Sequence, residues 1–262
     1  MRALILAAGK GTRYERQIPG PKALINFKGL RLIDFILKAF EKCNIDLHNV
    51  WMVVGFEKET LENIPVKFIL NSSYEKTNML ASLYAARKLF DGSSDLIISY
   101  SDIIYEPRLL AKILNSTGKV VVASDVNWEN LWKLRMENYN EDIESFILNE
   151  NKELVSIGKK KPSKDEIMGQ YIGLFKVSAQ AQSNFIDEIY KCFADSPENV
   201  SKSLNANLSI TEFLQQLIDK SWTLNVVESE NGWLEFDTKE DYDKYLGYNN
   251  LHILFDKSAF YD

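Results

Sequence analysis

Short apolar runs alternate with segments of helical period through the first half of the chain. Ala3, Leu4, Ile5 and Leu6 make a run long enough for a buried strand, and residues 50–54, 66–70, 96–100 and 119–123 repeat the pattern. Between these runs, Leu32, Ile33, Ile36, Leu37 and Phe40 recur on one face of a helix over 32–43, and Met79, Leu80, Leu83 and Tyr84 do so over 78–90. A short charged helix is expected near 57–63. Pro107 opens another over 108–115, where its missing N–H would have no intrahelical partner anyway. Such alternation predicts a parallel, doubly wound sheet through about residue 125.

Beyond that point the rhythm changes. Residues 143–148 and 154–157 flank Asn149-Glu150-Asn151-Lys152, a hairpin turn. A strand over 171–177, a helix over 178–193, a polar loop over 195–209, a helix over 210–219 and a strand over 223–227 follow. The strand 233–236 ends at Asp237, after which Thr238-Lys239-Glu240-Asp241 has the spacing of a capping box. No repeat or low-complexity linker divides the chain. The expected fold is therefore α/β: a doubly wound, mostly parallel (Rossmann-like) mixed sheet with a small C-terminal α+β elaboration, forming one domain over 1–262.

The first strand empties into Leu6-Ala7-Ala8-Gly9-Lys10-Gly11-Thr12-Arg13, followed by Pro21-Lys22. Small residues leave main-chain N–H groups open to a polyphosphate, and the glycines permit dihedrals that other residues avoid. Arg13 and Lys22 add a forked and a mobile cation to the same loop. Tyr14 stands where the dinucleotide fingerprint needs its third glycine, and no G-x-x-x-x-G-K-[ST] string occurs. The segment instead resembles the signature L-A-A-G-x-G-[ST]-R, spacer, P-K of the nucleotidyltransferases that activate sugar phosphates and phospho-alcohols. That resemblance implies a nucleotide-binding part over about 1–125, an acceptor-binding part over about 126–246 and a tail over 247–262.

Composition narrows the partners. A formal charge of −6 over 262 residues argues against non-specific nucleic-acid binding, which needs a basic footprint. Cys43 and Cys192 lack metal-ligand spacing and are expected to be free thiols in a reducing cytoplasm. No apolar stretch approaches the ~18–20 residues of a membrane span, so no membrane insertion is expected.

Ligands of open α/β sheets bind beyond the C-terminal ends of the strands. Asp102 and Asp237 stand at two such ends. A triphosphate brings Mg²⁺, which keeps several waters and takes one or two carboxylates. The resemblance implies the same pairing, with Ser101 standing where the family usually has glycine. The only two histidines, His48 and His252, lie far from any motif. A phosphate nucleophile needs no general base, since its second pKa is ~6. The expected chemistry is then charge offset and alignment by Arg13 and Lys22.

Three further segments are similar to the phosphocholine and aminoalkylphosphonate cytidylyltransferases: Asn78-Met79-Leu80-Ala81-Ser82-Leu83; Trp128 to Arg135; and Gly169-Gln170-Tyr171-Ile172-Gly173 with Gly232-Trp233-Leu234-Glu235 downstream. Their implication is a Mg²⁺-dependent enzyme that moves CMP from CTP to a small phosphorylated or phosphonylated alcohol or amine, phosphocholine first among them, and releases pyrophosphate. Activated head groups of this kind serve cell-surface glycans or lipids. Leu6, Ala7, Ala8, Gly9, Gly11, Thr12, Asn78 and Ser82 would meet the nucleotide. Trp128, Arg135, Lys159, Gln170, Tyr171, Trp233 and Glu235 would meet the acceptor. Trp128, Trp132 and Arg135 share a helical face at i, i+4 and i+7, which suits either a cation–π seat or core packing with Arg135 paired to an acid. The run Lys159-Lys160-Lys161 suits a phosphate or a solvated loop. A sugar-1-phosphate transferase using UTP or dTTP, and a nucleotide-binding module without turnover, are the rival expectations. The apolar tail packs on the domain or on a second copy, so a homo-oligomer stays open.

Overall fold

The computed structural model describes residues 1–11 and 20–261. Strand β1 (Arg2–Ala7) is buried along its whole length. Its side chains alternate between two apolar clusters: Ala3, Ile5 and Ala7 enter one, Leu4 and Leu6 the other. A strand that feeds two cores must lie between two layers, which is the physical content of a doubly wound sheet.

A small hairpin, β2 (Asn26–Phe27) and β3 (Leu30–Arg31), leads into α1 (Leu32–Lys42), whose first turn is closed by Asp34 accepting the Arg31 N–H at 2.9 Å. Strands β4 (Val50–Val54) and β5 (Lys67–Leu70) precede α2 (Met79–Ala85). Next come β6 (Leu96–Tyr100), β7 (Ile103–Tyr105), α3 (Pro107–Asn115), β8 (Val120–Asp125) and α4 (Trp128–Arg135). A hairpin of β9 (Glu144–Leu148) and β10 (Leu154–Lys160) is followed by β11 (Gln170–Val177), α5 (Gln182–Cys192), α6 (Ile210–Asp219) and β12 (Leu224–Ser229). The chain closes with β13 (Trp233–Glu235), α7 (Lys239–Gly247) and α8 (Leu251–Leu254).

The main sheet has seven strands in the order β12-β8-β11-β6-β1-β4-β5. Every pairing is parallel except those of β11, which runs antiparallel between β6 and β8. The mixed, mostly parallel α/β sheet is as expected. Apolar faces of α1, α3 and α4 cover one side, and those of α2, α5 and α6 cover the other. The tail packs on the domain: Phe255 and Phe260 lie 5.8 and 5.1 Å from the Phe35 ring of α1. Among the described residues no helix is long and apolar enough to cross a membrane, and both cysteines are free.

Among the elements that the apolar pattern did not show, one shapes the site. Strand β7 leaves the main sheet directly after β6 and pairs antiparallel with β13, setting Ile103 opposite Glu235. This two-stranded clasp lies at the C-terminal end of the central strands, and it decides the geometry below.

Candidate active site

The first cavity, about 220 Å³, opens where β1 ends. Leu6, Ala7, Ala8, Gly9, Gly11, Lys22, Asn78, Ser82 and Asp102, each a candidate from the sequence, all line it. Thr12 and Arg13 lie outside the described residues. Gly11 adopts φ +59, and a Cβ there would stand 2.8 Å from Lys22 Cγ. Glycine thus serves twice, in the backbone turn and in letting the Lys22 stem cross the loop. Asn71, Tyr74 and Thr77 complete the wall and escaped the sequence reading. The signal for Asn71 was its place immediately beyond β5, another C-terminal strand end. Its amide donates to Ser82 Oγ at 3.2 Å, tying that strand end to α2. Asn78 caps α2 by accepting the Met79 N–H at 2.7 Å and donates to the Asn207 carbonyl at 3.1 Å.

Lys22 Nζ donates to Asp102 Oδ2 at 3.1 Å and to Asp237 Oδ1 at 2.9 Å. The clasp accounts for this meeting of distant residues. Asp102 precedes β7 and Asp237 follows β13 closely, and the Phe236 N–H donates to the Asp102 carbonyl at 2.8 Å. Burial pulls the Lys22 pKa down, but the two carboxylates outweigh it and hold the ammonium above its ordinary value. Two carboxylates converging on one cationic atom are a hard-oxygen donor pair of the kind Mg²⁺ accepts while keeping most of its waters. No group of three or more His, Cys, Asp or Glu side chains suited to a metal occurs among the described residues. The residues present therefore fit a water-rich divalent ion and not a closed protein cage.

A second cavity, about 440 Å³, adjoins the first, and Asn78 and Met79 line both. Gln170, Tyr171, Glu235 and Asp237 face it, as do Tyr100, Trp132, Asp142, Glu144, Lys160 and Glu212. Gln170 grips β9 at both main-chain groups of Glu144: its amide donates to the carbonyl at 2.7 Å and its carbonyl accepts the N–H at 3.2 Å. Glu235 is pushed up to about 7 by burial, with Arg135 opposing and Asp237, Asp102 and Asp142 reinforcing the shift.

Four expected acceptor contacts need correction. Arg135 is fully buried, and its guanidinium is taken by Glu235 at 2.5 Å and Asp241 at 3.0 Å, with Asp142 4.0 Å away. It has no route to a phosphate. Instead it steadies the segment that carries Asp237, because Asp241 accepts the N–H groups of Asp237 at 3.0 Å and Thr238 at 2.8 Å. Trp233 is buried behind Trp132, ring centroids 6.0 Å apart, and its indole N–H donates to Asp125 at 2.9 Å. Trp128 stands edge-on to Trp132 and Tyr139 and does not line the cavity, whereas Trp132 does. Lys159 points to solvent and pairs with Glu166 at 2.6 Å; Lys160 is the lysine on the cavity, paired with Glu144 at 2.6 Å.

Comparison with known proteins shows the family of the chain. Residues 3–155 match the model of the MobA-like NTP transferase domain. Over 254 residues the chain is 33% identical to the CTP:phosphoglutamine cytidylyltransferase of Campylobacter jejuni subsp. jejuni serotype O:2, an alignment spanning 92% of this chain and 97% of that relative. The inositol-1-phosphate CTP transferase from T. maritima superposes with a TM-score of 0.67 at 18% identity, over 93% of this chain and 94% of that one. The CTP:phosphocholine cytidylyltransferase from Streptococcus pneumoniae gives 0.69 at 19% identity, over 93% and 96%. At those identities the two structures speak for the fold alone.

Proposed function

Because the chain belongs to the MobA-like NTP transferase family, we propose that it transfers CMP from CTP to a small phosphorylated or phosphonylated acceptor and releases pyrophosphate. The observation carrying this reading is the Lys22 ammonium between Asp102 and Asp237, on the wall of the first cavity and beside the second. In this reading the first cavity takes the nucleotide and the second the acceptor.

An acceptor phosphate oxygen attacks the α-phosphorus in line. The new P–O bond forms as the bond to the bridging α–β oxygen breaks, and its electron pair leaves with pyrophosphate. Proton abstraction is not required, since the nucleophile is already ionised near neutral pH. Consistently, neither histidine lines either cavity, and both are exposed. Asp102 and Asp237 would hold Mg²⁺, which when bound supplies charge neutralisation at the phosphates. Lys22, with Arg13 assigned from sequence alone, offsets charge on the reacting and leaving groups. The loop from Leu6 to Gly11 offers main chain to the polyphosphate, and Asn78 and Ser82 face the nucleotide's other end. A cytoplasmic role in activating head groups for a surface glycan or lipid follows from the same reading.

Pyrophosphate release tests it, with CTP, UTP, dTTP and ATP each set against phosphocholine, phosphoglutamine and glucose-1-phosphate. Turnover of CTP with a phospho-amine acceptor is the expected result. Preference for UTP or dTTP with glucose-1-phosphate would move the enzyme to the sugar branch, and silence with every pair would leave a binding module.

A further inference from the structure

The two edges of the main sheet are finished differently. At β12 the chain leading into β10 crosses the edge: Glu153 makes an antiparallel bridge to Asn225, and Lys152 pairs with Glu228 at 2.5 Å. The opposite edge, β5, pairs with β4 alone. The Asn71 N–H donates to the Val54 carbonyl at 2.9 Å. Alternation along the strand therefore turns the main-chain groups of Lys67 and Ile69 toward β4, and those of Phe68 and Leu70 outward. Among the described residues nothing hydrogen-bonds to these outward groups.

Open edges are ordinarily guarded by an outward charge, a proline or a bulge. Strand β5 has no proline and pairs with β4 in an unbroken register. Its one charge, Lys67, lies over the Trp51 ring of β4, 4.5 Å from the centroid, and is drawn back across the sheet. Ile69 packs on the core beneath α2, α5 and α6. Phe68 and Leu70 therefore share the other face, where they are 40% and 50% exposed. Unpaired main chain beside bare apolar side chains is the form of a strand that lacks a neighbour.

That neighbour can be the strand itself. When two copies of β5 run antiparallel about a two-fold axis at Ile69, Phe68 of one copy faces Leu70 of the other. Each outward N–H then meets an outward carbonyl, with no residue outside β5 recruited. Lys67 stands opposite Asn71 of the second copy, so no like charges meet, and Phe68 and Leu70 of both copies join in one apolar strip. We propose that β5 is the docking edge for a second copy of this chain, which extends the seven-stranded sheet across that axis. The pairing stands or falls apart from the transferase reading.

Sedimentation equilibrium of the full chain at micromolar concentration tests the proposal, and a particle of twice the chain's mass is the expected result. Phe68→Lys and Leu70→Lys each put a charge into the strip and should weaken the dimer about tenfold or more, while the far-ultraviolet circular dichroism stays that of wild type. A wild-type monomer throughout would overturn the proposal, as would a dimer that both substitutions leave intact. Mild oxidation checks the register. A pair on the axis brings its Cα atoms to about 4.5 Å, within disulfide reach. Ile69→Cys should therefore cross-link two chains, and Phe68→Cys, set diagonally from its own copy, should not. Wild type under the same oxidant controls for Cys43 and Cys192. Cross-linking through Phe68→Cys but not Ile69→Cys would overturn the placement of the axis.

Discussion

The two cavities are built on opposite plans. The first cavity draws Leu6, Ala7, Ala8, Gly9 and Gly11 from one short glycine-containing stretch, and its other lining residues from Lys22, the segment after β5, α2 and the β6–β7 turn. The wall beneath β11 is mostly side chains, drawn from β6, α4, β9, β10, β11, α6 and β13. A main-chain wall presents the same N–H groups whatever its neighbours do, so it suits an invariant polyphosphate. A side-chain wall depends on how distant elements pack, so it can be retuned for a different acceptor. Arg135 joins the plans, because its partners Glu235 and Asp241 bracket Asp237 on either side.

That joint should show the largest effect. Replacing Arg135 by Met strands the buried Asp241 carboxylate, and breaking a buried pair from one side typically costs ~3–5 kcal/mol. A loss of that size in the unfolding free energy from urea titration is expected, together with weaker Mn²⁺ binding in the presence of CTP. Arg135→Lys should recover only part, because an ammonium cannot fork to Glu235 and Asp241 at once. A loss below ~1 kcal/mol would mean that the acceptor side holds itself together without this residue.

Lys22→Met comes next and removes from the glycine-loop side the ammonium proposed to offset charge on the reacting groups. Loss of a transition-state charge contact lowers kcat by roughly 10²–10³. Mn²⁺ binding without nucleotide, followed by electron paramagnetic resonance, should tighten at the same time, since the ammonium no longer sits between Asp102 and Asp237. Wild-type kcat in this variant would remove Lys22 from the chemistry.

The difference in plan also explains what could be read in advance. Gly9, Gly11 and Lys22 lie in one contiguous signature, so their convergence needed no knowledge of packing. The strands β1, β4, β6 and β8 were legible because a strand buried on both faces reads as an unbroken apolar run. Strand β7 was not, being three residues long and indistinguishable from an extension of β6. Without it nothing in the sequence says why Asp102 and Asp237 meet, although each was marked by its place at a strand end. Trp128, Arg135 and Trp233 were assigned to the acceptor on residue chemistry. The structure gives them to the core, because large side chains on α4 and β13 face inward together and the buried guanidinium needs the carboxylates it finds there. Trp132, one turn from Trp128, is the residue whose edge reaches the cavity.

Gly11→Ala tests the main-chain plan more gently. The αL conformation costs a non-glycine residue ~1–3 kcal/mol, and the added methyl meets the Lys22 stem at 2.8 Å. KM for CTP should rise about tenfold while KM for the acceptor holds, a split expected only if the two cavities act separately. A matched rise in both would show that the walls move as one.

The smallest effect is a control that separates position in the fold from position in the site. Arg2 begins β1, the strand that delivers the glycine loop, but its guanidinium holds Asp91 at 2.7 and 3.1 Å away from both cavities. Asp91 is lowered to about 2 by the Ser93 main-chain N–H first and by the Arg2 side chain after it. Its folded-state pKa lies below the unfolded value, so the pair's contribution is fully present above pH ~4 and fades as pH falls toward 2. Because Asp91 is half-exposed, the contribution is at most ~1 kcal/mol. Asp91→Asn should therefore lower the melting temperature by about 2 °C at pH 7, converge with wild type near pH 2, and leave KM for CTP unchanged. A shifted KM would show that strain at the start of β1 reaches the loop at its end, and the main-chain wall would then be less independent of its neighbours than its construction implies.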